Sequence, residues 1–294
     1  MRMDGQEESS NVEDVRGMGG GGGGFGIGGR GIGLGSIAVA VIAGWIFGIN
    51  PLTLLGMMGG SDGGGQVVQQ QGPAPAPPAN DAGAKFVSQV LRSTEQVWTD
   101  VFRESGRTYQ PPKLVLFSGS WPTACGQGQA AMGPFYCPED RKVYIDLSFY
   151  RVLEQKLGAP GQFAQAYVVA HEVGHHIQNQ LGIMEKVDAM RSRGDRAQAN
   201  ALSVRVELQA DCFAGVWAAR SQKENGWRLD PGDIEAALNA AAQIGDDTLQ
   251  RRTQGTVVPE SFTHGTSAQR VNWFKRGVEG GSLDRCNTFE GRDL

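Results

Sequence analysis

Apolar residues beyond position 85 fall mostly at helical spacing. Phe86, Val87, Val90, Leu91, Val97, Trp98, Val101 and Phe102 recur at three- and four-residue intervals and predict an amphipathic helix. Lys113–Ser118 and Arg141–Leu147 are short and rich in Val, Leu, Ile, Tyr and Phe, with a Gly/Pro/Cys loop between them, so they read as strands of a small sheet. From Ser148 the helical pattern returns over about 148–157, 161–181, 196–224, 232–244 and 266–279, with Gly182 and Pro231 as punctuation. The expected fold class is α+β, mostly helical with a small β-sheet.

One stretch is apolar without being amphipathic. No charge lies between Arg30 and Asp62, and Ile37–Met58 within that gap is long enough for one transmembrane helix, which needs about 20 such residues. Gly44, Gly48, Gly56 and Pro51 weaken a soluble helix but are tolerated in a membrane. A cleaved signal peptide fits less well, because the region ahead is long and acidic and has no clear small-x-small cleavage site. Arg16 and Arg30 precede the run, whereas the first basic residue after it is Lys85, so the positive-inside rule puts the N-terminus in the cytoplasm and the large domain outside. The flanks follow. Residues 1–36 form a glycine-rich cytoplasmic segment, 37–58 the span, and 59–84, which contains the tract Pro73–Pro78, a flexible linker. Residues 1–84 hold 24 of the 44 glycines and no lysine, and no packed core is expected from them. Residues 85–294 are long enough to bury a core of their own.

The charge divides in the same way. The chain has 27 basic and 31 acidic residues, and the N-terminal 84 carry 3 of the former and 7 of the latter, leaving 24 of each afterwards. A neutral domain with no basic stripe is a poor partner for a phosphate backbone, so nucleic acid is not an expected ligand. All four cysteines lie beyond the apolar run, and an even number in an exported domain permits disulfides. Cys125 and Cys137 bracket the short loop and are the expected bridge, while Cys212 and Cys286 read either as a second pair or as two buried thiols. No C-x-x-C spacing exists for a structural metal.

The chemistry centres on residues 167–178, YVVAHEVGHHIQ. His171, Glu172 and His175 form H-E-x-x-H, whose i, i+4 spacing puts both imidazoles on one helix face where they can share a zinc ion. Glu172 sits beside that face, placed to take a proton from water. A catalytic zinc needs a third protein ligand. His176 points about 100° away from His175 and reads as a surface or supporting residue. The extended motif H-E-x-x-H-x-x-G-x-x-H fails, since Gln178 and Leu181 stand in its last two defining positions. A carboxylate on another helix is then expected, and Glu207 in VELQADCFAG, residues 206–215, is the best candidate. Glu207 and Asp211 are an i, i+4 pair of acids in an otherwise apolar helix, where burial is costly unless they are paired or metal-bound. His264, in THGTSAQRVNWF at 263–274, reads either as a group stabilising an oxyanion or as a helix-capping or core histidine, and Arg270 either as a partner for the acids or as a surface residue.

H-E-x-x-H followed on a later helix by E-x-x-x-D resembles the gluzincin pattern of thermolysin-like zinc peptidases. More closely, NVEDVRG at 11–17, HEVGHHIQ, VELQADCFAGVWA and THGTSAQRVNWF resemble the bacterial neutral zinc metallopeptidase family, the YpfJ-like proteins, over nearly the whole chain. The segment around His264 is also similar to the Thr-His-x5-Arg element of HtpX-like membrane zinc proteases. These resemblances imply a zincin-like domain with Zn2+ on His171, His175 and Glu207, Asp211 orienting His171, and Glu172 and His264 as catalytic groups. With the apolar run 37–58 and its charge asymmetry, the reading is a membrane-anchored zinc endopeptidase that hydrolyses polypeptide substrates, held by one N-terminal helix in a bacterial inner (plasma) membrane with its domain extracytoplasmic or periplasmic. By the same resemblance the substrate lies along an edge strand, for which Val143–Asp146 is the candidate, its other reading being an ordinary core strand. The alternative is a zinc-stabilised interaction or scaffold domain of the envelope without turnover. Glu172 speaks against that, since a structural site needs ligands but no base.

Overall fold

In the computed structural model residues 1, 5–18, 74–130, 133–224 and 229–290 are described. Four strands make the main sheet: β1 (Val12–Asp14), β2 (Lys113–Leu116), β5 (Phe135–Cys137) and β6 (Lys142–Ile145), in the order β1-β2-β6-β5. β1 runs parallel to β2 and β2 to β6, while β5 is antiparallel to β6. The hairpin β3 (Ser120–Thr123) and β4 (Gly126–Gln129) stands apart, and a Cys125–Cys137 disulfide ties its turn to β5. The helices are α1 (Ala82–Glu104), α2 (Phe149–Gln155), α3 (Gln162–Gln180), α4 (Ile183–Arg191), α5 (Arg196–Glu224), α6 (Asp233–Gln243), α7 (Asp246–Gln254) and α8 (Ser267–Gly280). The α+β class with helices dominant is therefore observed.

Alternation along the strands assigns the two sheet faces. Leu114, Leu116, Val143 and Ile145 point into the main core with Trp98, Phe163, Tyr167 and Trp217, and Val115, Phe117 and Tyr144 form a smaller cluster on the other face. α1 covers the first face because its apolar stripe is buried from Phe86 to Phe102, and Asp81 caps its N-terminus by accepting the Ala84 N–H at 2.9 Å.

Two glycine contacts set the helix positions. At Gly174 of α3 a Cβ would stand 3.0 Å from the Ala210 carbonyl oxygen of α5, and at Gly277 of α8 one would stand 2.0 Å from the Cys212 carbonyl oxygen. Glycine at both crossings lets α5 lie against its two neighbours backbone to backbone. A Cys212–Cys286 disulfide fastens α5 to the chain just after α8, which settles the second cysteine pair as a bridge.

Two expectations need correction. Residues 1–84 do contribute to the packed core: β1 is an edge strand of the main sheet, and Val12 and Val15 are buried. Three residues between glycine-rich and acidic neighbours are too few for periodicity to reveal a strand, and their partner lies about a hundred residues away. Val143–Asp146 is not at an edge, because β6 lies between β2 and β5; the edge beside α3 is β5. The expected span 37–58, with most of its glycine-rich and linker flanks, lies outside the described residues. Among the described residues no helix is long and apolar enough to cross a membrane.

Candidate active site

α3 and α5 supply the centre of the site. The ligand atoms of His171, His175 and Glu207 all lie within 4.8 Å of one another, with His171 Nε2 3.2 Å from Glu207 Oε2 and His175 Nε2 3.6 Å from Glu207 Oε1. The convergence follows from the Gly174–Ala210 contact, which brings residues a turn away on either helix face to face.

The opposite nitrogen of each imidazole is tied down. His171 Nδ1 lies 2.9 Å from Asp211 Oδ1, a carboxylate that can only accept, so Nδ1 carries a proton and Nε2 is the nitrogen that faces the centre, where a metal would take its lone pair. His175 Nδ1 lies 2.9 Å from Gln178 Oε1, and the Gln178 amide is oriented because its Nε2 donates to the Val206 carbonyl at 2.7 Å and to Gln209 Oε1 at 3.1 Å. His175 Nδ1 is again the donor. Two Nε2 lone pairs and one carboxylate, each imidazole braced from behind, are a donor set that fits zinc.

Asp211 is fully buried and is held from three sides. Arg270 Nε donates to Oδ2 at 2.8 Å and its Nη2 to Oδ1 at 2.9 Å, and the Tyr167 hydroxyl also donates to Oδ1. Burial alone works against the charged form, but Arg270 and His171 outweigh it and bring the carboxyl down to about 2. Arg270 is itself buried, so the surface reading of that residue falls. For His171 burial opposes a positive charge, while Asp211 and Glu207 push the imidazole up to about 10 in the metal-free protein. The charges of Asp211 and Glu207 thus favour a positive group at this point. Glu207 sits well below the usual carboxylate range, with burial opposed by the nearby histidines 175 and 264. Glu172 goes the other way: burial raises its carboxyl despite the two imidazoles beside it.

His264 enters from the loop before α8. Asp246, at the start of α7, gathers that loop by accepting the backbone N–H groups of Thr263, His264 and Gly265 on Oδ2 at 2.7, 2.6 and 3.0 Å, and its Oδ1 lies 3.3 Å from His264 Nδ1. Thr266 caps α8 in a capping box with Gln269, so His264 is not the cap. Burial opposes its charge, but Glu207 and Asp246 raise its pKa. His176 is buried rather than superficial. Its Nε2 meets the Gln110 carbonyl at 2.7 Å, its Nδ1 meets the Tyr136 hydroxyl at 3.0 Å, and burial lowers it to about 4. It docks α3 on β5.

Three supporting residues have no assigned role in the sequence reading: Tyr167, Gln178 and Asp246. Tyr167 stands four residues before His171 and Gln178 three after His175, so helical spacing could have found both. Asp246 is 18 residues from His264 and at the start of α7, with no local signal.

The comparisons agree with this geometry. The family described as "Putative neutral zinc metallopeptidase" matches residues 1–289. The protein YpfJ of Escherichia coli (strain K12) is 52% identical over 289 residues, 98% of this chain and 99% of the relative. A Mycobacterium tuberculosis (H37Rv) protein, Rv2575, is 44% identical over 195 residues, 63% of this chain and 65% of the relative. No solved structure matches the chain. With a family match over nearly its full length and a relative this similar end to end, the chain belongs to the neutral zinc metallopeptidase family.

Proposed function

We propose that the protein is a membrane-associated zinc endopeptidase, with Zn2+ held by His171, His175 and Glu207 and with Glu172 as general base. The observation that carries this is the convergence of two braced imidazoles and one carboxylate beside a second buried carboxylate whose pKa is raised. Zinc held there by His171, His175 and Glu207 would supply Lewis acidity for the scissile carbonyl and for the activation of water. Glu172 takes the proton of the attacking water and passes it to the leaving amine, a transfer that a carboxylate of raised basicity performs better than an ordinary one.

Asp211, kept ionised by Arg270, fixes the His171 tautomer and makes Nε2 a stronger donor. His264, oriented by Asp246, offers its other nitrogen to the oxyanion that forms at the carbonyl. An extended polypeptide adds to the open edge of β5, which His176 and Tyr136 hold against the site helix. The two disulfides support an oxidising, extracytoplasmic location.

Chelation and restoration test the reading. The purified full chain stripped of metal should fail to cleave an unfolded protein and recover on addition of stoichiometric zinc. Tight stoichiometric zinc without any cleavage would instead favour a structural metal site.

A further inference from the structure

The apolar run 37–58 predicts, from sequence, one membrane crossing with residues 1–36 on one face and the domain on the other. The folded domain speaks to that arrangement from both ends. β1 pairs with β2 in the register Val12↔Leu114, Glu13↔Val115, Asp14↔Leu116. The Glu13 carboxylate accepts from Lys113 Nζ at 2.6 Å and Lys142 Nζ at 2.7 Å, so it bridges two strands of the sheet. Ser9 and Asn11 both donate to Glu95 of α1, and the Ser9 N–H donates to the Ser88 carbonyl at 3.2 Å. Six of the seven residues from Ser9 to Val15, all but Ser10, are thus hydrogen-bonded to or packed on elements that begin after residue 81.

Residues 14–18 and 74–81 meet. The Asp14 N–H donates to the Pro75 carbonyl at 2.9 Å, and Arg16 pairs with Asp81 at 2.7 Å. Met18 and Ala74 pack on the same small cluster, around Val15, Val115 and Phe117. The described residues on either side of 19–73 therefore meet at one place. Arg16, one of the two arginines on which the positive-inside reading rests, is engaged inside the domain by Asp14 and Asp81.

A β-pairing of this kind cannot form across a bilayer. We propose that residues 1–18 occupy the same compartment as the peptidase domain, so that the run 37–58 is not a single membrane crossing and any membrane attachment through it is made from the domain's own side. Exchange of β1 between two copies leads to the same conclusion, because the strand still has to share a compartment with β2. Two helical crossings between residues 18 and 74 would need about 40 apolar residues, and the uncharged interval from 31 to 61 is too short for them.

Topology can be read without any assay of activity. In the full chain the four native cysteines are bridged, so Glu8→Cys and Glu279→Cys, each at an exposed position, give one reactive thiol apiece. With a membrane-impermeant maleimide on spheroplasts, both should be modified under the same condition, either both before permeabilisation or both only after it. Modification of one before and the other only after would overturn the proposal. A second measurement checks the docking itself: Glu13→Lys in the purified full chain puts a third positive charge between Lys113 and Lys142 and should lower Tm by about 2–4 °C or more. An unchanged Tm would show that β1 is not held on the sheet and would also overturn it.

Discussion

The three helices that carry the site and the four-stranded sheet beside them differ in how they hold distant parts of the chain together. On the helical side, α3, α5 and α8 meet through buried charge: Asp211 is enclosed by Arg270, His171 and Tyr167, with a disulfide a helical step away at Cys212. On the sheet side, β1 is held by main-chain pairing and by the partly exposed bridge from Glu13 to two lysines. Removing one member of a buried ionic cluster leaves the others uncompensated, whereas an exposed pair loses little because water takes its place. The interactions that cost most to break therefore lie behind the proposed metal ligands.

The largest expected effect breaks the helical side. Arg270→Met leaves Asp211 buried without its guanidinium and should cost about 3–5 kcal/mol, read as a lower denaturation midpoint. Loss of comparable size on replacing Lys113 would show that the two sides do not differ. The disulfides come next. Their sequence separations are 74 for Cys212–Cys286 and 12 for Cys125–Cys137, so the chain-entropy relation gives about 4.5 and about 3 kcal/mol. Paired serine substitutions should lower Tm more for the first bridge than for the second. Gln178→Leu removes the brace behind His175 and should weaken zinc binding about 10–100-fold, measured by competition with a chelating dye. Glu207→Ala, which removes a ligand, should exceed that.

The smallest effect belongs to the sheet side and carries a pH signature. Burial opposes the charge on Glu13, but Lys113 and Lys142 outweigh it and hold the carboxyl below its usual value. A group with a depressed pKa in the folded state stabilises above its unfolded value, and that contribution disappears as pH falls through the folded one. The stability difference between wild type and Glu13→Gln should therefore be present at neutral pH, under about 1 kcal/mol for so accessible a pair, and shrink as pH falls through the lowered carboxyl range. A difference that does not shrink on acidification would contradict the ionic origin.

The same contrast decides what was legible in the sequence. Apolar spacing located α3, α5 and α8 to within a residue or two, and the motif spacing within each helix placed His171, His175, Glu207 and Asp211 on facing surfaces. Local periodicity is enough when an element is long and one face is buried. β1 escaped because it is three residues long and its stability lies in a partner about a hundred residues away. NVEDVRG was visible as a family segment, yet nothing local in it showed that it pairs with the sheet. α4 and α7 were missed for a related reason, since both are nine residues long and mostly polar. His264 could be named as a candidate, but Asp246, which orients it, comes from one of those missed helices.

The central claim is that Glu172 acts as base beside a zinc it does not ligate. The direct measurement is zinc content and cleavage of an unfolded protein for Glu172→Gln next to wild type and His175→Ala. Glu172→Gln should keep stoichiometric zinc while cleavage falls by about 10²–10⁴-fold, and His175→Ala should lose both. Zinc loss in Glu172→Gln equal to that in His175→Ala, or cleavage at the wild-type rate, would contradict the account.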